Sequence, residues 1–269
     1  MAVGPSGHLK QSGKYIMTTS QANGLSKVPA ITLGFWIIKI LATTFGETAG
    51  DMVSMSLDLG YLVGTAIFAT LLMLLVFWQI RAPKFHPALY WATIIASTTA
   101  GTTMADYATR SLGIGYAGGS LLLLALVLVS LFIWYRALGS ISVASVHEPR
   151  AEIYYWLTIT FSQTLGTALG DWVADGSLGY LGAAVIFTTA LALLALAYYR
   201  TSISHVYLFW AAFILTRPLG AVVGDFLDKP LAQGGLELSR TGASLVLAVA
   251  IIGLIWILPQ RAGARHQPG

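Results

Sequence analysis

Four aspartates recur in one sequence context and are the strongest candidates for chemistry in this chain. Each follows a tryptophan by fifteen positions and a glycine by five, and each comes directly after a glycine or an alanine. The four residues are Asp51, Asp106, Asp171 and Asp225. Carboxylates within or at the rim of apolar helices are costly, so they mark functional sites by default. Their repetition predicts a site that binds a cation.

Further polar side chains share the helix faces of these aspartates. Positions four and seven residues before an aspartate lie on its side of an α-helix. The fourth copy has Pro218 and Ala221 at these positions, and Arg217 directly before them. Threonine hydroxyls can also bond back to their own helix, so a purely structural role stays open. The first three copies carry Thr44, Glu47, Thr99, Thr102, Thr164 and Thr167.

The four aspartates and Glu47 would form a metal site made only of oxygen ligands. Hard divalent cations such as Mn²⁺ and Mg²⁺ prefer carboxylate and hydroxyl oxygens. The chain has no cysteine, and its five histidines lie outside the centres of the apolar segments, which disfavours Zn²⁺. We therefore expect no permanently bound cofactor and a transported divalent cation, Mn²⁺ or Mg²⁺.

Two basic residues, Lys39 and Arg217, fall inside apolar segments. Basic residues within a membrane pair with acids, and Glu47 and a neighbouring aspartate are the expected partners. Three roles stay open for them. They could be counter-ions that give way to a cation, ligands of an anionic substrate group, or members of static structural pairs.

Long apolar segments carry all of these residues. Of 269 residues, 56% are hydrophobic and 10% are charged, whereas soluble domains have roughly 25% charged residues. This composition excludes a water-soluble globule, and continuous apolar runs disfavour a β-barrel. A segment of about 20 apolar residues spans a ~30 Å hydrocarbon core. The chain has eight such segments, at about 31–51, 58–80, 88–108, 114–135, 152–172, 178–199, 205–226 and 238–259.

The predicted fold class is all-α, a polytopic membrane protein with about eight transmembrane helices. We expect four parallel two-helix repeats in two halves, because each aspartate-bearing segment is followed by a smoother apolar one. All four aspartate-bearing helices then point the same way. The predicted parts are a flexible cytoplasmic tail (1–30), membrane half one with repeats 1 and 2 (31–136), a cytoplasmic linker (137–151), membrane half two with repeats 3 and 4 (152–259) and a C-terminal tail (260–269).

Small residues before each aspartate predict close helix packing. Pairs of small residues four positions apart let membrane helices approach closely. We therefore expect the four aspartate-bearing helices to form an inner cluster, with the smoother helices facing lipid. The packing residues are Gly46, Gly50, Gly101, Ala105, Gly166, Gly170, Gly220 and Gly224.

The basic residues predict the orientation in the membrane. Lys and Arg in short loops stay on the cytoplasmic side, and ten of the 15 basic residues fall on the side of both termini. Both termini are therefore predicted to be cytoplasmic. The net charge of +4 follows from these loops and does not indicate nucleic-acid binding. The expected partners are the lipid bilayer and a small inorganic ion, while the oligomeric state stays open.

The repeated unit resembles a known bacterial family. Four W-x14-D units ending in G-x-x-x-[GA]-D, over about residues 31–259, are similar to uncharacterised membrane-anchored proteins built of tandem unknown-function repeats. The resemblance implies a multi-pass protein of the bacterial inner membrane, with a role in metal-ion homeostasis such as manganese export. The fourth unit departs from the pattern through Arg217 and Pro218, which indicates an asymmetric site.

These observations favour a transporter or channel for a small ion, most simply a hard divalent cation such as manganese. The first alternative is a non-catalytic membrane sensor or assembly subunit, which would explain the packing glycines but not the repeated aspartates. The second is an intramembrane aspartyl enzyme, which needs two carboxylates that share a proton. Four equivalent aspartates fit such a pair poorly, so the protein is not expected to be an enzyme.

Overall fold

The computed structural model describes residues 25–263, and within that range the fold is all-α, as predicted, with no β-strand. Eight long helices follow one another along the chain. They are α1 (Leu33–Asp51), α2 (Gly60–Arg81), α3 (Pro87–Asp106), α4 (Tyr116–Leu138), α5 (Pro149–Ala174), α6 (Gly179–Arg200), α7 (His205–Asp228) and α8 (Arg240–Ile257).

The helical path continues beyond each repeated aspartate. Short π-helical segments, Met52–Ser56 and Tyr107–Ser111, extend α1 and α3 by about one turn. Helices α5 and α7 run three residues past their aspartates, to Ala174 and Asp228. The carboxylates therefore do not cap free helix ends, where the negative end of the helix dipole would disfavour them.

Five of the helices are long and apolar enough to cross a membrane: α2, α4, α6, α7 and α8. Helices α1, α3 and α5 are more polar because they carry threonines, glycines and charged residues. Most of these polar side chains are buried inside the bundle. The five apolar helices indicate a membrane protein, while the count of eight spans stays a prediction.

Helices α1, α3, α5 and α7, called the inner helices below, pack in a closed ring. Helix α1 contacts α3, α3 contacts α5, α5 contacts α7, and α7 returns to α1. The outer helices α2, α4, α6 and α8 pack around them, on α3, α5, α7 and α1 respectively. Each outer helix thus packs most extensively against the inner helix that follows it, and α8 closes the circle on α1.

Glycines set the close approach within the ring. A Cβ atom added at Gly101 would lie 2.8 Å from the carbonyl carbon of Gln163, so the backbones of α3 and α5 nearly touch. The same contact recurs around the ring, between the residue five positions before one aspartate and the residue eight positions before the next. Its four instances are Gly46 with Thr98, Gly101 with Gln163, Gly166 with Arg217, and Gly220 with Thr43. This shared register brings the four aspartates to one level.

Aromatic side chains fill the opposite end of the ring. The hydroxyls of Tyr90 and Tyr155 lie 2.6 Å apart in a hydrogen bond, and Trp91, Trp156 and Trp210 pack around them at centroid distances of 5.1–6.2 Å. All five side chains are buried. We call these five residues the aromatic plug, because they close the tryptophan end of the bundle.

The predicted terminal tails lie partly outside the described residues, which begin at 25 and end at 263. The described part of the N-terminal tail packs against the tryptophan end. Lys27 Nζ lies 2.6 Å from Glu152 Oε1 and donates to the carbonyl oxygen of Gln79 at 3.2 Å. The backbone N–H of Gly263 donates to the carbonyl oxygen of Val28 at 2.9 Å, and its carbonyl oxygen accepts from Ser26 N at 3.2 Å. Residues 25–30 thus connect α2, α5 and the C-terminal segment.

The Gly101 contact gives a stability test. Because a Cβ there meets backbone atoms that cannot move aside, we expect Gly101→Ala to lower the free energy of unfolding by about 1–3 kcal/mol. Gly253 on α8 has open space around it. Gly253→Ala is the matched control and should raise stability by up to about 1 kcal/mol through helix propensity. Denaturant unfolding of the purified proteins in detergent measures both, and equal stabilities would contradict the packing account.

Candidate functional site

The guanidinium of Arg217 lies at the centre of the inner ring. Its Nη2 donates to Glu47 Oε2 at 2.9 Å, to Thr102 Oγ1 at 2.6 Å and to Thr167 Oγ1 at 2.5 Å. Its Nη1 donates to the carbonyl oxygen of Thr43 at 3.4 Å. Since the acceptors belong to α1, α3 and α5 and Arg217 to α7, all four inner helices meet at one buried cation.

The fourth repeat differs from the others in a way that makes room for this side chain. Position four before the aspartate holds Glu47, Thr102 and Thr167 in three repeats but the small Ala221 in the fourth. The stem of Arg217 passes Gly166, where a Cβ would collide with it. The ring of Glu47, Thr102, Thr167 and Ala221 around the guanidinium is called the central ring below.

The five predicted metal ligands lie together. One carboxylate oxygen of Glu47 lies within 4.8 Å of oxygens of Asp51 and Asp106, and another such group joins Glu47 to Asp171 and Asp225. The four aspartates are called the carboxylate layer below, and each is at most 6% exposed. The structure therefore places the sequence-predicted carboxylates in one buried cluster.

Two basic residues bridge the carboxylate layer in pairs. Arg110 lies 3.0 Å from Asp106 and 3.2 Å from Asp171. No role for Arg110 was predicted from the sequence, although its spacing of four residues from Asp106 places the two on one helical face. This bridge joins the second and third repeats.

Lys229 makes the corresponding bridge between the fourth and first repeats. Its Nζ lies 2.5 Å from Asp51 and 3.0 Å from Asp225. Burial by itself would lower the pKa of Lys229. The negative charges of Asp225, Asp51 and Asp228 outweigh this effect and raise the pKa above its usual range. The side chain is therefore charged, and its spacing of four residues from Asp225 is the sequence signal that could have identified it.

Some carboxylate oxygens have no hydrogen-bond partner among residues 25–263. Two examples are Asp51 Oδ1 and Asp106 Oδ2, which are buried and accept no hydrogen bond from these residues. Buried acceptors without a donor are unfavourable. These oxygens are free to coordinate a cation.

The charged groups of the cluster do not balance. Six acidic side chains face four basic ones, which leaves two negative charges when all are ionised. The acids are Glu47, Asp51, Asp106, Asp171, Asp225 and Asp228, and the bases are Arg110, Arg217, Lys229 and Arg240.

The predicted threonines divide into two groups. Thr102 and Thr167 contact the guanidinium of Arg217 in the central ring. The threonines seven positions before an aspartate donate to their own helices instead, which gives them a structural role. These bonds run from Thr44 to Ile40, from Thr99 to Ile95 and from Thr164 to Thr160, at 2.9–3.0 Å.

Lys39 lacks the acidic partner that the sequence predicts. Within residues 25–263, no carboxylate lies within 4.0 Å of its amine, because Arg217 occupies Glu47. Lys39 Nζ instead donates to Thr216 Oγ1 at 3.3 Å and lies 4.1 Å from the centroid of the Phe213 ring. The expected pairing of Lys39 with Glu47 or an aspartate is therefore wrong.

A small cavity reaches the carboxylate layer from the aspartate end of the bundle. Its volume is about 40 Å³, which is enough for one water molecule or a small ion. Asp175 at its rim is exposed, while Asp171 and Asp225 are buried. Its lining consists of Arg110, Tyr116, Asp171, Ala174, Asp175, Tyr180 and Asp225.

One family model matches the chain four times in tandem. The model is described as a Repeat of Unknown Function (DUF347), and it matches residues 34–85, 89–139, 154–204 and 208–262. Each match covers one inner helix and the outer helix that follows it, so the predicted resemblance to a four-repeat family is confirmed. Neither a curated protein nor a solved structure matches the chain.

The Glu47–Arg217 pair gives a test of the central ring. Removing one partner of a buried ion pair leaves an uncompensated charge, so we expect Arg217→Met to cost about 3–5 kcal/mol of unfolding free energy. The double variant Glu47→Gln with Arg217→Met removes both charges and should recover more than half of that loss. Denaturant titration in detergent measures both variants, and a double variant no more stable than Arg217→Met would contradict the pairing.

Proposed function

The chain belongs to the family of the Repeat of Unknown Function (DUF347), and on that premise we propose that its four repeats together form a transporter or channel for a small ion. The transported species is a hard divalent cation such as Mn²⁺. The cation is the substrate of the protein and is held by the carboxylate layer and Glu47.

The proposed protein is a multi-pass protein of the bacterial inner membrane. All eight helices cross the bilayer as four parallel two-helix repeats, and both termini face the cytoplasm. The closed ring of inner helices and its repeating glycine contacts support this arrangement. The apolar side chains exposed on α2, α4, α6 and α8 would face the lipid tails.

Five buried carboxylates, contributed by all four repeats, converge in one cluster, and this cluster is the observation that carries the proposal. Oxygen ligands of this kind suit hard divalent cations. When all ten groups are ionised, the cluster carries two excess negative charges, which equal the charge of one such cation. The unpartnered oxygens of Asp51 and Asp106 provide the first contacts.

The bridging bases act as resident counter-ions in this proposal. Before a cation binds, Lys229 and Arg110 hold the aspartates of the carboxylate layer together. A cation that enters from the aspartate end then displaces these two basic side chains from the carboxylates. Lys229 directly follows the end of α7, and Arg110 lies in the π-helical segment that extends α3. Both therefore lie at the aspartate end, where the cation enters in this proposal. Arg217 keeps Glu47 in place at the centre.

The same geometry argues against an intramembrane aspartyl enzyme. Such an enzyme needs two carboxylates that share a proton. Here Arg110 lies between Asp106 and Asp171, and Lys229 lies between Asp51 and Asp225. In these two pairs a basic side chain lies where such an enzyme would hold the shared proton.

Uptake of Mn²⁺ into proteoliposomes tests the proposed function. We expect Asp51→Asn and Asp106→Asn each to lower the uptake rate at least roughly tenfold, which corresponds to about 1.4 kcal/mol of lost stabilisation. Asp58→Asn is the matched control, because Asp58 is exposed in the loop after α1 and contacts no member of the cluster. The control should transport at the rate of the unmodified protein.

Three results would overturn the proposal. The first is an unmodified protein that takes up no divalent cation, and the second is a pair of aspartate variants that transport as well as the control. The third is an equal loss of uptake rate in the two aspartate variants and the Asp58→Asn control, because the loss would then not depend on the proposed ligands. Thermal melting of each variant in detergent confirms that the compared proteins are folded.

A further inference from the structure

Lys39 is a buried amine to which the proposed cation path gives no role. We propose that Lys39 binds and releases the proton that is exchanged for the cation, so that the protein is a cation–proton antiporter. This inference rests on the proposed function and adds its coupling ion. It also identifies a residue whose charge changes during transport.

The surroundings of Lys39 hold an uncharged amine better than an ammonium. The side chain is 0% exposed. An ammonium has three N–H donors, but among residues 25–263 its hydrogen-bond partner is a single hydroxyl, Thr216 Oγ1 at 3.3 Å. The face of Phe213 adds a cation–π contact but accepts no conventional hydrogen bond. A buried charge with so few partners is unfavourable.

A second, permanent cation shares this part of the bundle. Arg217 follows Thr216 directly, and its Nη1 donates to the carbonyl oxygen of Thr43, one helical turn from Lys39 on α1. A charged Lys39 would be repelled by Arg217 without gaining a carboxylate, because Glu47 is already held by the guanidinium.

The other titratable and charged groups on the packed elements lie away from the amine. Helix α1 itself contributes Glu47 and Asp51, and no carboxylate of the described residues lies within 4.0 Å of Lys39. Besides Arg217, the groups on the three helices packed against α1 are Tyr90 and Asp106 on α3, His205, Tyr207, Asp225 and Asp228 on α7, and Arg240 on α8.

The position of Lys39 along the bundle fits an exchange of one ion for another. Lys39 lies between the central ring and the aromatic plug, twelve residues before Asp51 on α1. When the tryptophan end opens and the cation leaves, water reaches the amine and Lys39 takes up a proton from that side. When that end closes again, the apolar contacts and Arg217 expel the proton towards the aspartate end.

Two substitutions separate coupling from transport. Lys39→Met is permanently uncharged and similar in length, whereas Lys39→Arg is permanently charged. Proteoliposomes that contain a pH-sensitive dye report proton movement while external Mn²⁺ is taken up. The unmodified protein should raise the internal pH as Mn²⁺ enters.

The expected results differ between the two variants. Lys39→Met should take up Mn²⁺ without any change in internal pH, and Lys39→Arg should lose roughly tenfold or more of the uptake rate. Mn²⁺ uptake by the unmodified protein without proton movement would overturn the coupling and leave the proposed function intact. A rise in internal pH that persists in Lys39→Met during Mn²⁺ uptake would overturn the role of Lys39 in the coupling and leave the proposed function intact. An unmodified protein without uptake would overturn the proposed function itself.

A spectroscopic measurement tests Lys39 independently of transport. In the purified cation-free protein with ¹⁵N-labelled lysine, one lysine should give an uncharged-amine NMR signal at neutral pH. That signal should be absent from Lys39→Met. An ammonium signal for Lys39 would overturn the proposal even where transport is observed.

Discussion

The buried ion pair between Arg217 and Glu47 is the interaction on which the rest of the structure depends. Two charges taken out of water are tolerated only when hydrogen bonds satisfy the groups around them. Thr102 and Thr167 accept hydrogen bonds from the guanidinium, and Gly166 leaves space for the aliphatic part of the Arg217 side chain. Since the partners come from all four inner helices, the pair fixes the centre of the ring.

Around this pair the bundle is built from layers of different polarity. The aromatic plug closes one end, the central ring occupies the middle, and the carboxylate layer with its bridging bases forms the other end. The outer helices expose apolar side chains and pack on the inner ring. Most of the buried charges thus lie along one axis of a largely apolar molecule.

Much of this arrangement follows from the sequence because the repeat is regular. A tryptophan, a glycine and an aspartate at fixed spacings placed the four aspartates at equivalent positions. The long apolar segments predicted the all-α class, and the repeated residues predicted the inner position of the aspartate-bearing helices and the clustering of their carboxylates. The family match over four tandem segments agrees with that repeat.

The departures from the repeat could not be predicted in this way. Arg217 reaches Glu47 only because α7 packs against α1, and no local pattern shows which inner helices close the ring. For the same reason the sequence assigned Lys39 a carboxylate that Arg217 occupies. The bridging roles of Arg110 and Lys229 depend on carboxylates from a neighbouring helix, although their i,i+4 spacing to one aspartate was visible.

Mn²⁺ binding to the purified protein, followed by electron paramagnetic resonance, tests whether the carboxylate layer is a cation site. One Mn²⁺ should bind per chain, coordinated only by oxygen, because the carboxylates converge at a single cluster. Binding should be lost when Asp51 and Asp106 are both replaced by asparagine. A protein that binds no Mn²⁺, or binds it through nitrogen ligands, would contradict the account.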